Sequence, residues 1–324
     1  MRLSRVSSPL LALALLVPAG CDSPNTEDTG VTPDTGVPTD TGDLDSGSEV
    51  TDTGGGTDTP SVATCGTAQP DVSGIRGTEG LIIGRDGTIY YSQSGGVGRM
   101  TPDGTQEDDW VSLSGARTVW GLALDAANET LYVGSPSAGS VFAVTVATGA
   151  VATFVASAGE PNGLTVGPDG ALYFSDFGGG AVRRATSSGM TTVTTSSIPQ
   201  ANGVAFDAEG RLIVLSYGSG RLLRLTLVDG VESSREAMLA SGLGNPDGVA
   251  LDANGDFWVT DYSGSLRHVI AATGANTNQL GSISAAASVD FGAGPLDCND
   301  IYIASSGAVR RFSTGLEGAN VLWH

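Results

Sequence analysis

From Glu79 onward, short apolar runs alternate with breaks rich in Gly, Asp and Asn, and the alternation repeats. Six segments align. They begin Glu79-Gly-Leu-Ile-Ile-Gly, Trp120-Gly-Leu-Ala-Leu-Asp, Asn162-Gly-Leu-Thr-Val-Gly, Asn202-Gly-Val-Ala-Phe-Asp, Asp247-Gly-Val-Ala-Leu-Asp and Ala287-Ser-Val-Asp-Phe-Gly. Successive starts lie 41, 42, 40, 45 and 40 residues apart. Each unit opens on a short apolar strand. A turn follows, as in Arg85-Asp86-Gly87, Pro168-Asp169-Gly170, Ala208-Glu209-Gly210 and Ala253-Asn254-Gly255. A second strand is aromatic and β-branched: Ile89-Tyr90-Tyr91, Leu172-Tyr173-Phe174, Phe257-Trp258-Val259. A Gly/Ser turn leads to a third strand such as Ala181-Val182-Arg183-Arg184, and a more polar fourth strand closes the unit. Asp-Gly and Asn-Gly between apolar runs are strong hairpin signals.

Four short antiparallel strands in about 40 residues make a propeller blade. The predicted class is all-β, a six-bladed β-propeller of four-stranded blades over residues 63–324. A β-sandwich would not demand a repeated unit. Residues 63–76 precede the first repeat and are available as a strand closing the ring with blade six. Cys65 opens this region and Cys298 lies in the last repeat. Outside a reducing cytosol they have one way to pair, and a disulfide would clasp the ring. The chain-entropy model values so long a loop at on the order of 4–5 kcal/mol.

The chain before the repeats reads differently. Residues 1–20 have the form of a lipoprotein signal peptide: Arg2 and Arg5, then an apolar stretch from Leu10 to Val17 too short to span a bilayer. It ends Pro18-Ala19-Gly20-Cys21, which resembles a bacterial lipobox, with Cys21 lipidated as the new N-terminus. The alternative is ordinary signal cleavage beside an incidental cysteine. In the span 21–62, residues 22–62 carry ten acids, no base and hardly any large apolar side chain. That composition cannot bury a core and predicts a disordered tether. Asp-Thr-Gly occurs there four times, at Asp28, Asp34, Asp40 and Asp52. Without apolar strands around them, these are not aspartic-protease sites. The expected location is the bacterial cell envelope, membrane-anchored and facing the periplasm or exterior.

Composition narrows the partners. Gly fills 48 of 324 positions, in keeping with a turn-rich all-β chain. A net charge of −20 argues against nucleic acid or an anionic membrane surface, which leaves the lipid as the only membrane contact. A monomer is expected.

The first position of each repeat begins the innermost strand, so its side chain should face the central channel. Around the ring this column reads Glu79, Trp120, Asn162, Asn202, Asp247, Ala287. Gly follows five of them and lets the backbones pack near the axis. Carboxylate and amide oxygens at one height suit a hard divalent cation, Ca²⁺ above others. Without one, Glu79 and Asp247 would repel and one should keep its proton. A water-filled polar channel, or an ion that is purely structural, remains open at this point. Arg117, shortly before Trp120, is placed either to meet an anionic substrate or to sit solvated. Asp176 and Asp261 end the second strands of blades three and five. They read either as groups supporting the site or as loop caps of the Asx kind. The Trp and Tyr residues of the second strands read as core.

At the column the sequence resembles the senescence marker protein/gluconolactonase/luciferin-regenerating-enzyme-like family of six-bladed propellers. The resemblance is carried by Glu79-Gly80, Pro161-Asn162-Gly163, Ala201-Asn202-Gly203 and Pro246-Asp247-Gly248, in the family's blade order. It implies a divalent metal, usually Ca²⁺, held by Glu79, Asn202 and Asp247, with Asn162 a further ligand or a substrate contact. It implies hydrolysis of lactones and related esters, with Asp247 as general base and Trp120 as an apolar wall. Where sugar-lactone members often carry Arg two positions before the first middle Asn, this chain has Glu160. Its two histidines, His268 and His324, cannot form the His pair of arylesterase propellers.

Two functions follow from different classes. One is a Ca²⁺-dependent lactonase or esterase; the other is a non-enzymatic envelope module with a structural ion in its channel. The anchor is separately testable. Cys21→Ser should release the protein from the membrane fraction, and unchanged fractionation on a membrane pellet assay would remove the lipoprotein reading.

Overall fold

A computed structural model describes residues 65–77, 79–239 and 241–319. The signal peptide, the lipidated Cys21 and the acidic tether lie outside the described residues.

Among the described residues, twenty-three strands form six antiparallel sheets. Blades one to five span 81–112, 122–156, 161–192, 201–239 and 246–281, each with four strands in sequential order. Blade six, 286–313, has three strands. The innermost strands are Leu81–Ile83, Leu122–Leu124, Pro161–Val166, Ala201–Phe206, Pro246–Leu251 and Ala286–Phe291.

The core is divided among the blade interfaces. Six buried apolar clusters each draw residues from two neighbouring blades. Tyr173 of blade three, for example, meets Phe206 of blade four edge-on, with ring centroids 4.9 Å apart. Alternation along the second strands supplies both faces: Leu172 and Phe174 pack toward blade two, Tyr173 toward blade four. This is why aromatic and β-branched residues concentrate there.

Closure differs from the expected extra strand. Residues 65–77 contribute no strand to blade six. Ala68 makes an isolated parallel bridge to Leu296, in the turn after the blade's first strand. Val72 and Ile75 then pack between blades six and one, among Leu81, Tyr91, Tyr302 and Val309. The segment is a wedge, since its apolar side chains are worth more in that interface than on the sheet's outer edge. Cys65 and Cys298 are bonded, with Cα atoms 5.5 Å apart. At the other end, Ala319 N–H donates to the Leu251 carbonyl, so the last described residues run beneath blade five.

Because the disulfide ties residues 233 positions apart, its loss should act on the whole ring. A Cys65→Ala/Cys298→Ala variant should lose on the order of 4 kcal/mol in reversible denaturant unfolding. An unchanged midpoint would show that the wedge alone closes the ring.

Candidate active site

In four of the six blades the column residue sits at a bulge. In blades three to six the pairing of first and second strands shifts register where the column residue sits, between Ala201 and Val204 in blade four and between Pro246 and Val249 in blade five. A bulge re-aims a side chain and leaves a backbone N–H without its ladder partner. Hydroxyls of the second strand take up such N–H groups: Gly163 donates to Ser175 Oγ and Gly248 to Thr260 Oγ1, and in blade one, where the pairing has no register shift, Gly80 donates likewise to Ser92 Oγ, all at 2.7–2.9 Å. The glycines are obligatory, because the next blade's column carbonyl abuts them. A Cβ at Gly163 would stand 2.6 Å from the Asn202 carbonyl oxygen. At Gly80, Gly121, Gly203 and Gly248 it would collide with the carbonyls of Trp120, Asn162, Asp247 and Ala287.

The strands enclose a cavity of about 100 Å³ lined by Glu79, Trp120, Asn162, Asn202 and Asp247. Ala287 does not line it; it is fully buried, its carbonyl accepting the Thr260 hydroxyl. Neighbouring Ser288 takes that place on blade six and ties the ring shut, its N–H to the Glu79 carbonyl and its hydroxyl to the Leu81 carbonyl.

Asn202 and Asp247 are 1% and 5% exposed. Asn202 Nδ2 donates to Asp247 Oδ2 at 3.1 Å. Asn202 Oδ1 is buried and accepts no hydrogen bond from the described residues. A buried amide oxygen without a donor costs roughly 1–3 kcal/mol, so it marks a place for a ligand. Burial pushes the Asp247 carboxyl up to about 7, against the Asn202 hydrogen bond. Burial, and then the charge of Asp247, pushes Glu79 up to about 8. Two such carboxyls and an orphaned amide oxygen form an all-oxygen donor set that fits a hard divalent cation.

Other expected residues fall elsewhere. Arg117 is exposed in the loop before blade two and does not line the cavity. Asp176 accepts N–H groups from Glu160 and Gly179 and pairs with Arg183 at 3.1 Å. Asp261 does the same for Asn245 and Ser263, with Arg267 at 3.5 Å. Both cap loops, and each holds the backbone two residues ahead of a column residue, Asn162 or Asp247. His268 is occupied on the third strand of blade five, its Nε2 3.1 Å from Asp252 Oδ2 and its ring stacked on Trp258.

Two features escaped the sequence reading. Asp290, in the cavity wall, accepts N–H groups from Ile83 and Phe291, and burial pushes it up to about 7. Its repeat position is otherwise Ile82, Ala123, Thr165, Ala205 and Ala250, so a lone acid in that register was the available signal. The second feature is an aromatic arc. Trp120 touches Phe177, Phe177 touches Tyr217, and Tyr217 touches Tyr262, with centroids 5.8, 5.7 and 6.3 Å apart. Phe177, Tyr217 and Tyr262 each follow the second strand of blades three, four and five. An aromatic recurring at one repeat position in three consecutive blades was legible.

The family model described as the SMP-30/Gluconolactonase/LRE-like region matches residues 79–307. The chain belongs to this family. Among solved structures it is similar to a gluconolactonase from Xanthomonas campestris, 18% identical over 76% of this chain and 88% of that one, with a TM-score of 0.61. It is also similar to regucalcin, a calcium-binding protein from Agrobacterium tumefaciens, 17% identical over 79% and 96%, TM-score 0.62. A luciferin-regenerating enzyme matches at 16% identity over 76% and 94%, TM-score 0.61. At these identities the likeness establishes the fold. No curated protein matches the chain by sequence.

The raised carboxyls predict an inverted pH dependence. Glu79, Asp247 and Asp290 keep protons in the folded chain where the unfolded chain has lost them. The stability these three groups contribute is therefore fully present below their unfolded values, about 4, and is lost as pH rises through about 7 to 8. In chelator, the melting temperature should drop on the order of 5–10 °C between about pH 5 and about pH 8. Asp290→Asn should shrink that drop; an unaltered slope would mean Asp290 titrates normally.

Proposed function

We propose that this protein is a divalent-cation-dependent hydrolase of lactones or related esters, with Ca²⁺ as its ion, working as a lipid-anchored monomer in the cell envelope. The observation that carries the reading is the orphaned, buried Asn202 Oδ1 beside two carboxyls forced above their ordinary range. Family membership supports the reaction class, and the gluconolactonase and calcium-binding relatives point the same way.

Glu79, Asn202 and Asp247 would hold the ion, with Asn162 beside them on the same lining. Bound there, the cation supplies Lewis-acid polarisation of the substrate carbonyl. The chain's own residues do the rest. Asp247, near neutral in affinity for a proton, is suited to take one from an attacking water. The Asn202 amide steadies Asp247 Oδ2 and so aims the other oxygen, Oδ1. Asn162, 6% exposed, offers an amide to the substrate's ring oxygen or carbonyl. Trp120 walls the mouth and limits water.

Asp247→Asn should cut turnover of a lactone about 100-fold or more while retaining part of the metal affinity, because an oxygen stays in place. Asn202→Ala should weaken Ca²⁺ binding itself, read by calorimetry. Metal binding without hydrolysis across lactones and aryl esters would favour the second reading, a binding module with a structural ion.

A further inference from the structure

Of the four rings of the aromatic arc, Trp120 lines the cavity, and Phe177, Tyr217 and Tyr262 continue from it across blades three to five. At the floor stand Glu79, Asn162, Asn202 and Asp247. Above them the rings of Trp120, Phe177, Tyr217 and Tyr262 run edge to face from blade two to blade five, with interplanar angles of 69°, 67° and 63°. The arc is tied to the strands that carry the floor: the backbone N–H groups of Phe177, Tyr217 and Tyr262 donate to the carbonyls of Glu160, Gln200 and Asn245, each two residues ahead of a column residue. Burial and the charges of Asp247 and Glu79 all raise the Tyr217 hydroxyl, and burial, Glu79 and Asp247 raise that of Tyr262. Tyr262 is 40% exposed, a large aromatic kept in solvent at the mouth. Corresponding positions in blades one, two and six are Ser94, Pro136 and Ser306, so the arc has an open side.

We propose that this arc seats the organic body of the substrate, and that the substrate class is an ester or lactone bearing an aromatic or similarly flat apolar group. The inference rests on the hydrolase reading for the word substrate; the binding itself does not. Polar side chains are confined to the floor and to Thr165, Ser288 and Asp290, with leucine and valine between them. A polyhydroxylated ring that entered the channel would leave hydroxyls facing these apolar walls, at a cost for each one left unpaired. Among the described residues no basic side chain lines the cavity, exposed Glu160 stands beside the Phe177 loop, and the net charge is −20, so a sugar-acid anion is disfavoured as well. An apolar ring gains instead, through buried area and through edge-to-face contacts.

Two non-hydrolysable probes separate the possibilities: the lactam analogue of dihydrocoumarin and gluconolactam, titrated into the Ca²⁺-loaded protein by calorimetry. The aryl lactam should bind about tenfold tighter or better. Phe177→Ala should weaken aryl binding several-fold. Tyr262→Ala, at an exposed site that leaves folding intact, should do the same, and Tyr262→Phe should restore it. Gluconolactam binding as tightly, no binding of the aryl lactam, or indifference of aryl binding to both alanine variants would overturn the proposal. Aryl binding that responds to the variants, with no turnover of dihydrocoumarin, would instead overturn the hydrolase reading and leave the arc's role standing. Turnover of gluconolactone without aryl binding would do the reverse.

Discussion

How closely the six innermost strands approach the axis governs the chemistry of the channel mouth. Each column carbonyl presses against the glycine of the preceding blade, from Trp120 on Gly80 to Ala287 on Gly248. Backbone in that contact leaves the column side chains only the channel to occupy. The same approach strips water from them. Asp247 and Glu79 are therefore raised by burial before any neighbouring charge acts. A dry cluster of carboxyls is costly alone, and becomes favourable once protons or a cation balance the charge. The site's affinity for an ion and its pH-sensitive stability are thus two consequences of one packing constraint.

The loops around the mouth are held by a device used twice. In blades three and five an aspartate at the end of the second strand gathers two backbone N–H groups and an arginine from the third strand. These are the blades that carry Asn162 and Asp247. Blade four uses a smaller version, with Ser216 Oγ donating to the Pro199 carbonyl. The staples do not touch the cavity. They set the backbone entering each bulge, and the bulge then aims the side chain. Rigid support of this kind is what a general base or a metal ligand needs, because a small misplacement is expensive in rate.

Directly after each of these stapled strands comes a ring of the aromatic arc: Phe177, Tyr217, Tyr262. Each ring's N–H is bonded back to the residue two ahead of the column, Glu160, Gln200 or Asn245. Rim and floor are therefore mechanically one unit, and the spacing between the reacting centre and the apolar seat is set by the blade geometry.

Much of this was legible from the chain. The repeat of about 40 residues encodes a blade because four strands cannot bury their faces without a neighbour, so periodicity implied the ring. Five of the six column positions followed from the repeat register, with Ser288 and not Ala287 on blade six, and the pairing of Cys65 with Cys298 followed from their being the two cysteines left to pair outside a reducing cytosol. What the sequence left open were relations between blades. Residues 63–76 read as a spare strand until Val72 and Ile75 find an interface more apolar than the sheet edge. Asp290 is a carboxylate on a strand until the ring closes and Ile83 supplies its N–H. Asp176 had two readings, and the bond it accepts from the Glu160 amide, two residues ahead of Asn162, is visible only in the folded blade. The orphaned oxygen of Asn202 and the contacts linking Trp120 to Tyr262 exist only when four blades stand side by side. Sequence determines what each blade presents; the ring alone determines which presented groups meet, because those contacts join residues tens of positions apart whose separation no local pattern encodes.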